Sequence, residues 1–154
     1  MFRSFLTFLF LAAVLLVACN SESSSSQITP PQQSAAPRTI VGTTWSLVSL
    51  RGNPLLYGTS ITLNLMPGFL SGQMSYNQYG GGPDSGKYVM TAQGVLKITQ
   101  LAVTVRLCLD PEGIMQQEQR YIETLQQART YRVRDDRLEI QDERRETILV
   151  FVRR

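Results

Sequence analysis

The chain has 154 residues, 43% hydrophobic and 18% charged, with a formal net charge of +3. That length suits one domain with a tail. It contains no histidine and only two cysteines, Cys19 and Cys108, which excludes Ser-His-Asp and Cys-His relays, HExxH zinc sites and four-cysteine metal or iron–sulfur sites.

The amino-terminal residues read MFRSFLTFLFLAAVLLVAC, with Arg3 as the positive start and residues 5–18 apolar except for Thr7. A bilayer-spanning helix needs about 20 apolar residues, so this run reads as an export signal. It ends in Leu16-Val17-Ala18-Cys19, which resembles the lipobox of bacterial lipoproteins. The resemblance implies that residues 1–18 are a signal peptide and that cleavage falls before Cys19. It also implies a diacylglyceryl thioether on the Cys19 sulfur and acylation of the new amino end. Each buried methylene contributes about 0.8 kcal/mol, and several acyl chains anchor where one holds only marginally. A membrane, reached through Cys19, is therefore the first expected partner.

Residues 20–38 read NSESSSSQITPPQQSAAPR, with Ile28 as the only large apolar side chain. Such a segment cannot bury enough surface to offset its ordering entropy and reads as a disordered linker. In enteric lipoproteins an aspartate after the lipid-bearing cysteine favours the inner membrane. Asn20 thus leans toward the outer membrane, on its periplasmic face. Without residues 1–18 the net charge is +2, because only Arg3 is lost.

The domain begins at Thr39. Residues 44–50 read as a strand with Trp45 and Leu47 on one face, followed by Arg51-Gly52-Asn53-Pro54 as a turn. Residues 61–65 alternate as a half-buried strand. Pro67-Gly68 turns the chain, and residues 69–76 return as the partner strand. Residues 80–86 form a glycine-rich loop that lacks the GK[ST] ending of a phosphate loop. Residues 87–90 and 95–98 pair as a hairpin around Gly94, and residues 101–105 read as a further strand. Cys108 lies between Leu107 and Leu109. It is either a buried small hydrophobe, the reading favoured here, or a thiol that reacts or pairs between molecules.

One helix is expected, with Asp110 as N-cap, Pro111 at its first position and Glu112 in its first turn. Ile114, Met115, Tyr121, Ile122, Leu125 and Ala128 form its apolar stripe. Glu118 lies on that stripe, where an unpartnered carboxylate would be costly. It is expected to accept hydrogen bonds from a buried strand group. As a general acid it lacks a partner, and Asp84 and Asp110 are the other carboxylates considered. Residues 131–133, 138–140 and 147–152 read as strands, the first two joined by an Asp135-Asp136 turn and the last apolar on both faces. The fold class is mainly β (α+β): a small antiparallel barrel or rolled sheet of seven to eight strands, with one helix before the last three. Eight arginines near the carboxyl end interleave with six acidic residues. That is a mixed surface, so no nucleic-acid partner is expected.

Four motifs then occur in order: Gly42-Thr43-Thr44-Trp45-Ser46-Leu47; Gly72 leading to Tyr76-Asn77-Gln78-Tyr79; Thr104 to Cys108; and Glu118 with Tyr121. Together, over residues 40–151, they resemble the META domain of bacterial envelope proteins, known from a heat-shock-related lipoprotein family. The resemblance implies a compact antiparallel barrel with a helix, somewhat like secretion pilotins, and offers no catalytic residues to carry over; no metal or cofactor is expected. It marks Trp45, Asn77, Thr104, Cys108 and Glu118 as structural or buried polar positions. In relatives a cysteine before the asparagine is able to pair with the one after the threonine. Here Tyr76 stands first, which leaves Cys108 without that partner and forgoes about 2–4 kcal/mol. The functional expectation is a non-enzymatic, lipid-anchored envelope protein. It would bind an envelope protein or peptide, or support integrity under stress, through a groove or sheet edge near Asn77, Tyr79 and the glycine loop. The alternative is a pilotin-like carrier sheltering a lipid or peptide tail in an apolar cavity of about 300 Å3 or more.

Overall fold

Apolar alternation broken by glycine and proline turns residues 40–154 into nine strands and one helix; these are the residues that the computed structural model describes. The expected signal peptide at 1–18, the expected lipid site Cys19 and the expected linker at 20–38 lie outside the described residues. The elements are β1 (Thr43–Leu50), β2 (Thr62–Met66), β3 (Phe69–Gln73), β4 (Gln78–Gly80), β5 (Tyr88–Met90), β6 (Leu96–Ile98), α1 (Ile114–Gln126), β7 (Thr130–Arg134), β8 (Arg137–Gln141) and β9 (Thr147–Arg153).

Seven strands form one antiparallel sheet in the order β4-β3-β2-β1-β9-β8-β7. The β5–β6 hairpin is a separate pair. Residues beside it reach both flanks of the sheet, Lys87 bridging to Phe69 and Val95 to Thr130. The result is the expected rolled sheet with the helix before the last three strands; the sheet itself is not closed. Its interior packs Trp45, Leu63, Leu70, Tyr79, Tyr121, Leu125, Leu149 and Phe151.

On β1, Trp45 and Leu47 point inward as the alternation predicts. The pairing with β9 then shifts between Leu47 and Ser49. Val48 faces out as the alternation predicts, and the bulge then shifts the alternation by one residue, so Leu50 rather than Ser49 is buried. Four consecutive residues of β9, 148–151, are buried, as expected for a strand covered on both faces.

Four expectations need correction. The strand from Phe69 ends at Gln73 rather than Tyr76, because residues 74–77 close a turn in which Met74 N donates to Asn77 O at 2.7 Å. The chain reverses there into β4, which the polar run Ser75-Tyr76-Asn77-Gln78 does not signal as a strand. Residues 101–105 are not a full strand; only Val103 bridges, to Tyr79. The helix starts at Ile114, not at Asp110: Gly113 has φ +86, a left-handed value that a right-handed helix cannot include. Asp110 and Pro111 therefore belong to the preceding turn, and no side chain caps the helix. Cys108 is only half-buried, and its neighbours Leu107 and Leu109 are exposed.

Candidate functional site

The buried face of α1 holds Ile114, Gln117, Glu118, Tyr121, Thr124 and Leu125, a stripe at helical spacing in which half the residues are polar. Each polar member ties the helix to a loop or turn. Gln117 accepts from Leu56 N at 2.7 Å and donates to Thr59 Oγ1 at 3.0 Å. Thr124 accepts from Arg51 Nε at 3.1 Å.

Glu118, 3% exposed, accepts from Tyr76 N at 2.8 Å, Asn77 N at 3.4 Å and Asn77 Nδ2 at 2.7 Å. The donors lie on the β3–β4 turn, not on a strand. Every group facing the carboxylate is a donor, which suits an acceptor-only side chain. Asn77 passes the restraint on. Its Nδ2 donates to Arg106 O at 3.1 Å, and its Oδ1 accepts from Arg106 N at 2.6 Å and Thr104 Oγ1 at 3.1 Å. Thr104 Oγ1 in turn accepts from Gln78 N at 2.9 Å. Three of the singled-out residues, Asn77, Thr104 and Glu118, thus form one network that clamps the segment 101–107 beside β4.

Trp45 and Cys108 stand apart from it. Trp45 is fully buried in the core, with the Arg153 guanidinium 4.8 Å from its ring centroid, and among the described residues its Nε1 has no hydrogen-bond partner. The Cys108 Sγ donates to Asp110 O at 3.2 Å. The neighbouring Cys108 is the main cause that holds the Tyr76 phenol above its ordinary value, with slight desolvation and the nearby Asp110 adding to it. Tyr76, which stands where the resemblance places a pairing cysteine, is thus a neighbour of Cys108, with its side chain exposed.

A second polar pair lies deeper. Tyr79 Oη donates to Thr62 O at 2.6 Å and lies 2.6 Å from Tyr121 Oη. One proton per hydroxyl means that Tyr121 donates to Tyr79. Burial, then the neighbouring Tyr121, raises the Tyr79 phenol well above its ordinary value, and burial raises Tyr121 as well.

Beside the clamp, α1 and the segment 101–107 leave an open groove of about 360 Å3. Its mostly apolar walls include Val103, Val105, Met115 and Ile122, with Glu118 at its base and Glu123 on its rim. Met115 and Ile122, expected in the core, are only half-buried because they flank this groove. The groove adjoins Asn77, close to where a binding surface was expected, but the glycine loop does not line it. The alternation Val103, Val105, Leu107, Leu109 was the available signal for it. Of the candidate acids, Asp84 pairs with Lys87 at 3.0 Å and Glu118 is held by the turn. Among the described residues no cluster of His, Cys, Asp or Glu is placed to hold a metal.

The family model for the META domain matches residues 38–154. Two structures solved by NMR share the fold. One, a protein from Burkholderia xenovorans, is 21% identical with a TM-score of 0.53, covering 81% of this chain and 96% of that one. The other is 18% identical with a TM-score of 0.53, covering 72% of this chain and 88% of that one. No curated protein matches.

Proposed function

The chain belongs to the META domain family, and from that premise we propose that it is a non-enzymatic, lipid-anchored protein of the cell envelope that binds a partner. Its role would be a binding module, or one that supports envelope integrity under stress. The groove between α1 and the segment 101–107 carries this reading. It has apolar walls, a braced floor and direct access to solvent, which suits binding more than chemistry. The Leu16-Val17-Ala18-Cys19 run supports the anchor, and the linker supports display of the domain away from the membrane.

Intact mass of the protein from cells, with Cys19→Ser beside it, tests the anchor. Acyl mass on Cys19, and release of the variant into the soluble fraction, are expected. An unmodified Cys19 on a freely soluble native protein overturns the anchored reading. A photo-crosslinker placed at Val105 in intact cells tests the binding. One discrete adduct, lost when Met115 and Ile122 are both changed to aspartate, is expected; no adduct overturns it.

The same groove favours a second reading, a pilotin-like carrier for a lipid or peptide tail, because its volume exceeds about 300 Å3. Native mass spectrometry that finds no co-purified lipid or peptide counts against that reading.

A further inference from the structure

The segment 101–107 runs along β4 on one edge, and its other edge meets no strand among the described residues. Its even-numbered residues are satisfied on the β4 side. Ala102 N donates to Ser85 O at 2.9 Å, Gly80 N to Ala102 O at 2.9 Å, and Thr104 N to Gln78 O at 2.9 Å. Arg106 N and O are both held by the Asn77 amide. In an extended chain, successive backbone N–H and C=O pairs point to opposite edges. The backbone groups of Val103, Val105 and Leu107 therefore face away from β4, and among the described residues none of them has a partner. Val105 and Leu107 are 91% and 80% exposed.

Such an edge is a template for strand addition, and proteins normally protect it with charge, proline or a covering element. Here the alternate residues Val103, Val105 and Leu107 are apolar and exposed, Arg106 is the one charged residue of the segment, and α1 stands off from Val103 and Val105, leaving the groove. An edge strand facing a helix across an apolar gap is the geometry in which an extended peptide gains affinity from main-chain hydrogen bonds. Its alternate side chains then give specificity. The charge of the groove narrows the partner. Glu118 and Glu123 line it, and no lysine or arginine does. Glu123 Oε1 accepts only from Gln119 Nε2, at 2.9 Å, among the described residues.

We infer that the segment 101–107 binds an extended peptide of a partner protein by strand addition. The peptide carries apolar residues at alternate positions, which pack against Met115 and Ile122, and a basic residue that meets Glu123. This inference deepens the partner-binding reading and rests on it. Lipids lack the hydrogen-bonding backbone that the edge calls for, and a second copy of this chain would bring the same two acidic side chains to the groove.

The test uses the full chain and a phage-displayed library of random linear peptides. Selected peptides are expected to show apolar residues at alternate positions with one lysine or arginine. Their binding should slow amide exchange at Val103, Val105 and Leu107. Val105→Pro keeps the apolar bulk and the β4-side bonds but removes one outward donor; it should weaken binding by about tenfold. Glu123→Gln should weaken it about two- to fivefold, and only for peptides that keep the basic residue. Circular dichroism on both exposed-site variants verifies folding. Recovery of no peptide, helical spacing in those recovered, unprotected amides at 103–107, or indifference to Val105→Pro each overturns the inference. Self-association of the chain that Val105→Pro abolishes also overturns it, in favour of a second copy. The crosslink at Val105 in cells reads the broader binding proposal separately, so an adduct there with none of these strand signatures sinks the inference alone.

Discussion

Replacing Glu118 by glutamine changes one atom's chemistry and almost no volume, so it isolates the donor–acceptor logic at the buried end of the network. In the native protein all three groups that face the carboxylate are donors. A glutamine turns one acceptor into an NH2. If its oxygen stays with the Tyr76 and Asn77 amides, its NH2 opposes Asn77 Nδ2 at the 2.7 Å position; if it flips, it opposes the backbone donors. Asn77 cannot rotate to relieve the conflict, because Arg106 N and Thr104 Oγ1 already require its oxygen where it is. The loss is one charge-assisted hydrogen bond, about 1.5–3 kcal/mol, together with an opposed buried donor pair, about 1–3 kcal/mol. Partial relaxation brings the total to about 3 kcal/mol. For a domain of this size each kcal/mol moves the melting temperature by about 3–6 °C, so Glu118→Gln should melt roughly 10–15 °C lower. Urea unfolding of the full chain measures the free energy directly. In an Asn77→Ala background the opposing donor is gone, and the same substitution should cost less than about 1 kcal/mol. A single-variant loss under about 0.5 kcal/mol, or a loss unchanged in the Asn77→Ala background, refutes the reasoning.

Gly72→Ala should abolish the folded signal in circular dichroism, since a Cβ there would lie 2.1 Å from Thr62 O and 2.2 Å from Tyr79 Oη; native-like spectra and stability would contradict the close approach. Tyr79 and Tyr121 are both raised by burial, so the unfolded chain loses these two phenolic protons first as pH rises past about 10. The stability they contribute is present below that pH and falls above it, at about 2.7 kcal/mol per pH unit for the pair. Absorbance at 295 nm should therefore show their phenolates appearing only with unfolding; titration of every tyrosine near pH 10 in an intact fold would refute this. Tyr76→Cys should form a disulfide with Cys108, removing both free thiols from a thiol assay and adding about 3–4 kcal/mol through the loop it closes; free thiols under oxidising conditions would show that the two positions are not matched.

The strands that read most plainly in the sequence are those where alternation and turn chemistry agree, as at Ile61, Leu63 and Leu65 before Pro67-Gly68. The roll of the sheet was also legible, because a run that is apolar on both faces, residues 148–151, has to lie inside it. Two misreadings have different physical causes, one local and one from far along the chain. Asp110-Pro111 has the chemistry of a helix start, but Gly113 in a left-handed conformation delays the helix. The run 69–76 looks like one strand, but the buried Glu118 draws the backbone donors of Tyr76 and Asn77 out of the ladder and into a turn. Glu118 itself was recognisable as a buried acceptor from its place on the apolar stripe. Its connection through Asn77 to Arg106, a partner 29 residues further along the chain, leaves no trace in spacing.

The polar network and the open groove are best understood together. A buried hydrogen-bonded carboxylate is an inefficient way to stabilise a small core, since an apolar residue of similar volume often does as well. What it does supply is position. Through Asn77 it holds both backbone groups of Arg106, and through Thr104 it joins the segment to β4 at Gln78. The segment 101–107 is thereby kept extended at the margin of the sheet without a second strand to hold it. Exposed apolar side chains on a loose loop would collapse onto the nearest apolar surface, here Met115 and Ile122, and the groove would close. Clamped from the β4 side, they cannot reach it. On this argument Asn77→Ala should lose affinity for strand-forming peptides by more than its effect on global stability accounts for. Amide exchange should quicken at Thr104 and Arg106 while the β1–β9 core stays protected. Uniform acceleration across the whole domain would show that the network stabilises the fold and does nothing particular for the edge.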